Sequence, residues 1–100
     1  PYVGHFLPEA VRRDLEAMQG LTDEDWVALF RDLYQRWQGK DGLVTVVLAP
    51  SASQRVSPAL MHRIHDLSEE YNVPIHTHLL ETKTQAMTGP ELYGESVVAY

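Results

Sequence analysis

"VPIHTHLLETKTQ", residues Val73 to Gln85, sets two histidines one residue apart inside an apolar run and follows them with a carboxylate. Asn72 and Pro74 mark where the run begins. Its length and composition predict a strand over Val73–Leu80. Alternation then places His76 and His78 on one face with Pro74 and Leu80, while Val73, Ile75, Thr77 and Leu79 take the other. Glu81 falls three residues beyond His78, just past the C-terminal end of that strand, where α/β proteins carry their chemistry. Spacing alone leaves two readings open. Either the histidines pack and Glu81 is the acidic start of a helix, or a metal ligand stands beside a carboxylate.

Upstream, "LVTVVLA", Leu43–Ala49, is β-branched and almost wholly apolar, the pattern of a strand buried on both faces of a parallel sheet. Pro50 ends it and "SASQRVS" reads as a loop. Ser57 and Pro58 are an N-cap and a first helical residue. Leu60, Met61, Ile64, Leu67 and Tyr71 recur at helical spacing, so a helix is expected from Pro58 to about Tyr71, closed by Asn72 in the left-handed conformation. Strand, loop, helix, strand within about forty residues is one βαβ unit, whose strands run parallel.

Outside this unit, Pro8 opens a helix expected to reach Met18, with Gly20 as its stop. Thr22 caps a second, whose first turn carries Asp23, Glu24 and Asp25. Trp26, Val27, Leu29, Phe30, Leu33, Tyr34 and Trp37 form its wide apolar face, and Gly39 ends it. Thr82 caps a short helix through Met87, Gly89-Pro90 breaks it, and a further helix is expected near Glu95. Two strands alone leave both sheet edges unpaired. The order α-α-β-α-β-α therefore fits a slice of a larger α/β protein.

One hundred residues suit one small domain, and 44% hydrophobic content is that of a globular chain. A formal charge of −6 argues against a nucleic-acid partner, since phosphates would be repelled. No apolar stretch approaches the roughly 20 residues that span a bilayer, so no membrane role is expected. Zero cysteines leave His, Asp and Glu as possible metal ligands, and a cytoplasmic location is the expectation. No basic segment of signal-peptide type appears at the start. Pro1 without a methionine and a helical pattern cut at Val97–Tyr100 suggest that both ends are truncated.

Other chemistry-bearing residues carry less. His62 and His65, three apart on the Pro58–Tyr71 helix, read as a solvated face, and His5 falls in a loop. Tyr93 and Tyr100 read as packing residues. Ser51 and Ser53 lack the Gly-x-Ser-x-Gly nucleophile turn. The glycines form no phosphate-binding pattern.

The stretch "LAPSASQRVSPALMHRIHDLSEEYNVPIHTHLLETKTQ", Leu48–Gln85, resembles the middle of the amidohydrolase superfamily. The branch is that of cytosine-, guanine- and adenosine-type deaminases and triazine chlorohydrolases. The carrier is H-x-H-x-x-E-T at a strand end, after a proline-ended strand and a helix; the first half of the chain matches only loosely. The resemblance implies that the chain, 1–100, is part of a (β/α)8 TIM barrel around its fourth and fifth strands and their flanking helices. It makes His78 the fifth-strand metal ligand, with zinc or iron as the single divalent metal. It makes Glu81 the proton shuttle that touches substrate, and His76 a barrel-interior residue below the metal.

Ser51 stands where many deaminases of this branch carry a substrate-contacting histidine. It is the candidate substrate contact here, and its identity leaves the leaving group open. An H-x-H pair on the first strand, a histidine on the sixth and an aspartate on the eighth would come from elsewhere in the parent. The implied reaction is hydrolysis of a C–N bond in a small molecule, by metal-activated water attack on an amidine-like carbon, in a homo-oligomeric enzyme of which this chain alone is inactive. The alternative is a non-catalytic α/β interaction module whose Trp26–Trp37 face binds a partner. A flavodoxin-like domain is disfavoured, because no phosphate-binding signature follows either strand.

Overall fold

A computed structural model describes residues 8–17 and 20–100 of the chain. Two sequence expectations, the loop position of His5 and the helical reach to Met18, lie outside the described residues. Four α-helices are seen among the described residues: α1 Glu9–Ala17, α2 Asp23–Trp37, α3 Pro58–Tyr71 and α4 Lys83–Tyr93.

The helix starts follow their caps. Thr22 accepts the Asp25 N–H at 3.1 Å while the Asp25 side chain accepts the Thr22 N–H at 3.0 Å, a reciprocal capping box. That backbone hydrogen bond is the main cause of an Asp25 carboxyl pKa below its usual value, with the Thr22 hydroxyl bond second. Ser57 accepts the Leu60 N–H at 3.1 Å with Pro58 in the first helical position. α3 closes as expected at Asn72, with φ of 51°. There the Val73 N–H reaches the Ser68 carbonyl at 3.1 Å and the Ser68 hydroxyl donates to the Val73 carbonyl at 2.7 Å.

α2 and α3 pack face to face over the segments at Leu48 and Val73. Val27, Phe30, Leu48, Leu60, Ile64, Leu67 and Val73 form the core, with Leu48 and Ile64 fully buried. Phe30 meets Tyr71 edge-on at 5.4 Å between ring centroids, and Tyr34 meets Tyr71 at 4.6 Å. The expected α2 face is divided. Val27 and Phe30 are buried and Trp26 and Tyr34 pack on the core, but Leu29, Leu33 and Trp37 stay exposed.

The two expected strands are corrected. Leu43–Ala49 and Val73–Leu80 lie side by side and parallel, as a βαβ crossover requires, but they share a single bridge, Leu48 with Ile75. The Leu48 N–H donates to the Pro74 carbonyl at 3.2 Å and the His76 N–H to the Leu48 carbonyl at 2.8 Å. Two prolines explain why the ladder stops there. In a parallel ladder of this register the residue at 50 would donate to His76, and the residue at 74 would donate to Val46. Neither Pro50 nor Pro74 has an N–H to give. The Val46 N–H bonds instead to the Gln38 side-chain carbonyl at 2.8 Å. On the other side the His78 N–H slips one residue, to Ser51.

Burial on both faces is corrected as well. Val44, Val47, Ile75, Leu79 and Leu80 are all more than a third exposed, because α2 and α3 cover one side of the pair.

The third correction concerns the C-terminal part. α4 does not stop at Met87 but runs through Gly89 and Pro90 to Tyr93, and Gly94 closes it in the left-handed conformation with φ of 73°. No helix follows at Glu95; residues 97–99 form a turn. Tertiary contact overrides the local break. A Cβ at Gly89 would lie 2.7 Å from the Val97 nitrogen and 2.8 Å from the Glu95 oxygen, so the bare glycine lets the returning chain dock. Val97 is buried by that docking, and Tyr93 stacks on Tyr100 at 3.8 Å between centroids.

Candidate functional site

The bridge between Leu48 and Ile75 sets the site's frame. The N–H groups of His76 and His78 both point to the Leu48–Ser51 segment, so their side chains share one face, as alternation predicts. His78 is tied to the upstream segment through the main chain, its N–H donating to the Ser51 carbonyl at 3.2 Å. Ser51 and His78 are thereby neighbours at the C-terminal ends of the two segments. Both are exposed, as is His76.

Beyond His78 the extended chain turns. Leu80 has φ of 54°, a left-handed conformation that a branched, bulky residue adopts only when its surroundings hold it there. Continued extension would carry Glu81 about 10 Å along from His78. The turn instead brings Glu81 Oε1 to 3.7 Å from His78 Nδ1. The imidazole and the carboxylate that the sequence pairs by spacing are therefore together in space.

The first turn of α4 fixes Glu81. Thr82 caps the helix by accepting the Gln85 N–H at 3.2 Å. Gln85, buried to 8% exposure, turns its side chain back: Oε1 accepts the Glu81 N–H, and Nε2 donates to Glu81 Oε2 at 3.2 Å. Sequence reasoning missed Gln85. The available signal was Thr82-x-x-Gln85, the spacing of a capping box.

Among the described residues Glu81 is the acidic partner of His78, and they contain no cluster of three or more His, Cys, Asp or Glu able to hold a metal between them. His62 and His65 lie exposed on α3, with Arg63 between them engaged by Glu24 at 2.6 Å. That carboxylate's hydrogen bond and charge hold the Arg63 pKa above its usual value. Ser53 is buried with its hydroxyl unpartnered, in the 3₁₀ turn Ser53–Arg55 that follows Ser51. No helix among the described residues is long and apolar enough to cross a membrane.

Comparison with known proteins places this geometry in context. Residues 6–88 match the model of the Amidohydrolase family. Relatives named 5-methylthioadenosine/S-adenosylhomocysteine deaminase include one from Halothermothrix orenii, 40% identical over 65 residues, covering 64% of this chain and 15% of the relative. One from Caldanaerobacter subterraneus subsp. tengcongensis is 29% identical over 87 residues, 86% of this chain and 20% of the relative. One from Nitratidesulfovibrio vulgaris is 36% identical over 72 residues, 72% of this chain and 16% of the relative. The chain thus spans a fifth or less of the length of these relatives. No solved structure matches it significantly.

Proposed function

The chain belongs to the amidohydrolase family, and from that premise we propose that it is one segment of a metal-dependent deaminase with a (β/α)8 barrel. Leu43–Ala49 and Val73–Leu80 are its fourth and fifth strands. The observation that carries the reading is the approach of Glu81 to His78, 3.7 Å apart at a strand end inside the matched stretch. The open form of the chain supports it. A radius of gyration of 15.4 Å exceeds the roughly 13 Å of a compact domain of this length, and the exposed residues Val44, Val47, Ile75 and Leu79 are left for the rest of a barrel to cover.

In this reading His78 would be one ligand of a divalent metal, zinc or iron, with the remaining ligands coming from other strands of the parent. The bound metal supplies a water acidic enough to act near neutral pH. Glu81 would take up and release the proton that the departing nitrogen needs. Ser51, anchored to His78 through its carbonyl, lines the substrate side. His76 fills the barrel interior below. The substrate is an amidine-bearing ring of the 5-methylthioadenosine or S-adenosylhomocysteine kind, after the names of the relatives. The parent is a cytoplasmic homo-oligomer without nucleic-acid or membrane partners.

The test uses the full-length protein with 5′-methylthioadenosine, following ammonia release and bound metal together. Glu81→Gln keeps shape and polarity but removes the proton acceptor. The metal is expected to stay while turnover falls about 10²–10⁴-fold. Undiminished turnover in Glu81→Gln would overturn the reading.

A further inference from the structure

Glu81 is the residue on which the proposed chemistry turns, and its placement is not what a strand end supplies by itself. It follows Leu80, whose φ of 54° is disfavoured for any residue with a branched side chain. A turn of that kind relaxes unless neighbouring groups hold it. We infer that Gln85 is the positioning residue of the site: a two-point clamp that holds the Leu80–Glu81 turn and fixes which carboxylate oxygen faces His78. The inference rests on the functional reading above for its consequence, and on geometry for its substance.

Gln85 is itself held on both sides of its main chain. Its N–H is capped by the Thr82 hydroxyl at 3.2 Å, and its carbonyl accepts the Thr88 hydroxyl at 2.8 Å. From this anchored base the side-chain amide reaches back over the helix start. A main-chain N–H can only donate, so Oε1 must be the atom that meets the Glu81 N–H, and the amide's orientation is fixed. Nε2 then has one place to go, Glu81 Oε2 at 3.2 Å. With Oε2 occupied, Oε1 is the oxygen directed at His78, 3.7 Å away. Burial of Gln85, at 8% exposure, shields the amide side of these bonds, while the Glu81 side chain stays about half exposed at 48%. An ordinary capping box would bond back to the cap residue's own N–H. This one bonds one residue earlier, to Glu81, which gains the clamp.

A carboxylate that carries protons gains from being held in one orientation, and displacement by about 1 Å costs up to roughly 100-fold in rate. Gln85→Leu removes both contacts and Gln85→Glu keeps an acceptor for the Glu81 N–H while removing the donor to its carboxylate. In the full-length protein with 5′-methylthioadenosine, Gln85→Leu is expected to lower kcat about 10–100-fold, with KM and bound metal little changed. Gln85→Glu is expected to lower kcat at least as far, since its second carboxylate oxygen would face Glu81 Oε2 and repel it. The decisive step is a cycle with Glu81→Ala. If Gln85 acts through Glu81, Gln85→Leu lowers kcat no further in that background; an equal loss in both backgrounds makes it a general helix support and overturns the inference.

Hydrogen exchange provides a readout apart from turnover. In Gln85→Leu, exchange is expected to speed up at 79–82 while 86–93 stays protected; loss of protection through the whole helix would overturn the clamp. Should Gln85→Leu fail to fold, Gln85→Glu carries the same cycle and the same exchange measurement. A protein whose Glu81→Gln variant turns over undiminished refutes the functional reading instead, and leaves the exchange result to judge the clamp alone.

Discussion

His78 Nδ1 and Glu81 Oε1 stand 3.7 Å apart although two residues of nominally extended chain, Leu79 and Leu80, separate them. The left-handed Leu80 closes the distance. A non-glycine residue in that conformation costs about 1–2 kcal/mol, so the pairing is held at the expense of backbone strain. Such strain concentrates at working sites.

Leu80 therefore gives the first prediction. Glycine accepts positive φ without penalty, at the cost of about 0.5–1 kcal/mol in unfolded-chain entropy. The Leu80 side chain is 44% exposed, so little burial is lost with it. Leu80→Gly is expected to leave the unfolding free energy within about 1 kcal/mol of the parent's. Leu80→Val, β-branched at the same φ, is expected to destabilise by more than Leu80→Gly. The reverse order would mean that Leu80 is not held in the left-handed region.

The core gives the second. Ile64 is fully buried between α2, Leu48 and Val73. Truncation to alanine leaves a cavity in a site with few ways to collapse, so Ile64→Ala is expected to cost about 2–5 kcal/mol. Leu29→Ala, on the exposed part of α2, is expected to cost well under that. Urea titration of both variants separates the two faces; equal losses would contradict the division of the α2 surface.

How much of this was legible in the sequence depends on how local each cause is. Caps are local, and Thr22, Ser57, Asn72 and Thr82 all act where the sequence puts them. The neighbouring parallel course of the two segments was legible from the βαβ spacing. The regular strands were not, because β-branched composition says nothing about which N–H groups a partner needs. Pro50 and Pro74 each fall where the ladder requires a donor, and that is visible only once the register is known. Pro90 misled in the opposite sense, since docking of the 95–97 segment on Gly89 carries the helix through it. At the site, the His78–Glu81 pairing was readable from spacing, but the Leu80 turn and the Gln85 clamp that produce it were not.

Gly89 gives the third prediction. Alanine is the better helix former by about 1 kcal/mol, so an unpacked position would gain from Gly89→Ala. Here the added Cβ meets main-chain atoms of Val97 and Glu95 at 2.7 and 2.8 Å, and neither can swing aside. Gly89→Ala is expected to displace the 95–97 segment, exposing Val97 and loosening the Tyr93–Tyr100 stack. Faster amide exchange at 95–100 would register it. Exchange as slow as in the parent would mean the close approach is not formed.

The capping box of α2 makes a prediction in pH. Asp25 has a folded-state pKa lowered from 3.8 by the Thr22 N–H and hydroxyl. A lowered carboxyl pKa means that the folded chain binds the proton more weakly than the unfolded one. Its stabilisation is therefore fully present above the unfolded value and is lost as pH falls through the folded one. The Asp25→Asn variant is expected to lack this component of acid sensitivity. The difference between parent and variant midpoints should shrink below about pH 4, and a difference that grows on acidification would reverse the sign.

The last prediction separates the two histidines of the opening stretch, which share one face and differ in what stands next to them. His78 has the Glu81 carboxylate at its Nδ1 and the Ser51 carbonyl on its main-chain N–H. His76 has the bridge bond to Leu48 and, among the described residues, no carboxylate within salt-bridge distance. If the chain is part of a deaminase barrel, only His78 is built as a ligand. In the full-length protein, His78→Ala should lose metal and turnover together, because removing one of about three or four protein ligands leaves the site open. His76→Gln, similar in size and able to hydrogen-bond, should keep its metal, with any loss appearing in the thermal midpoint. Metal content measured on purified variants, before any assay, decides the matter. Full occupancy in His78→Ala, or loss of metal in His76→Gln with His78 intact, would reassign the ligand or remove it from this strand.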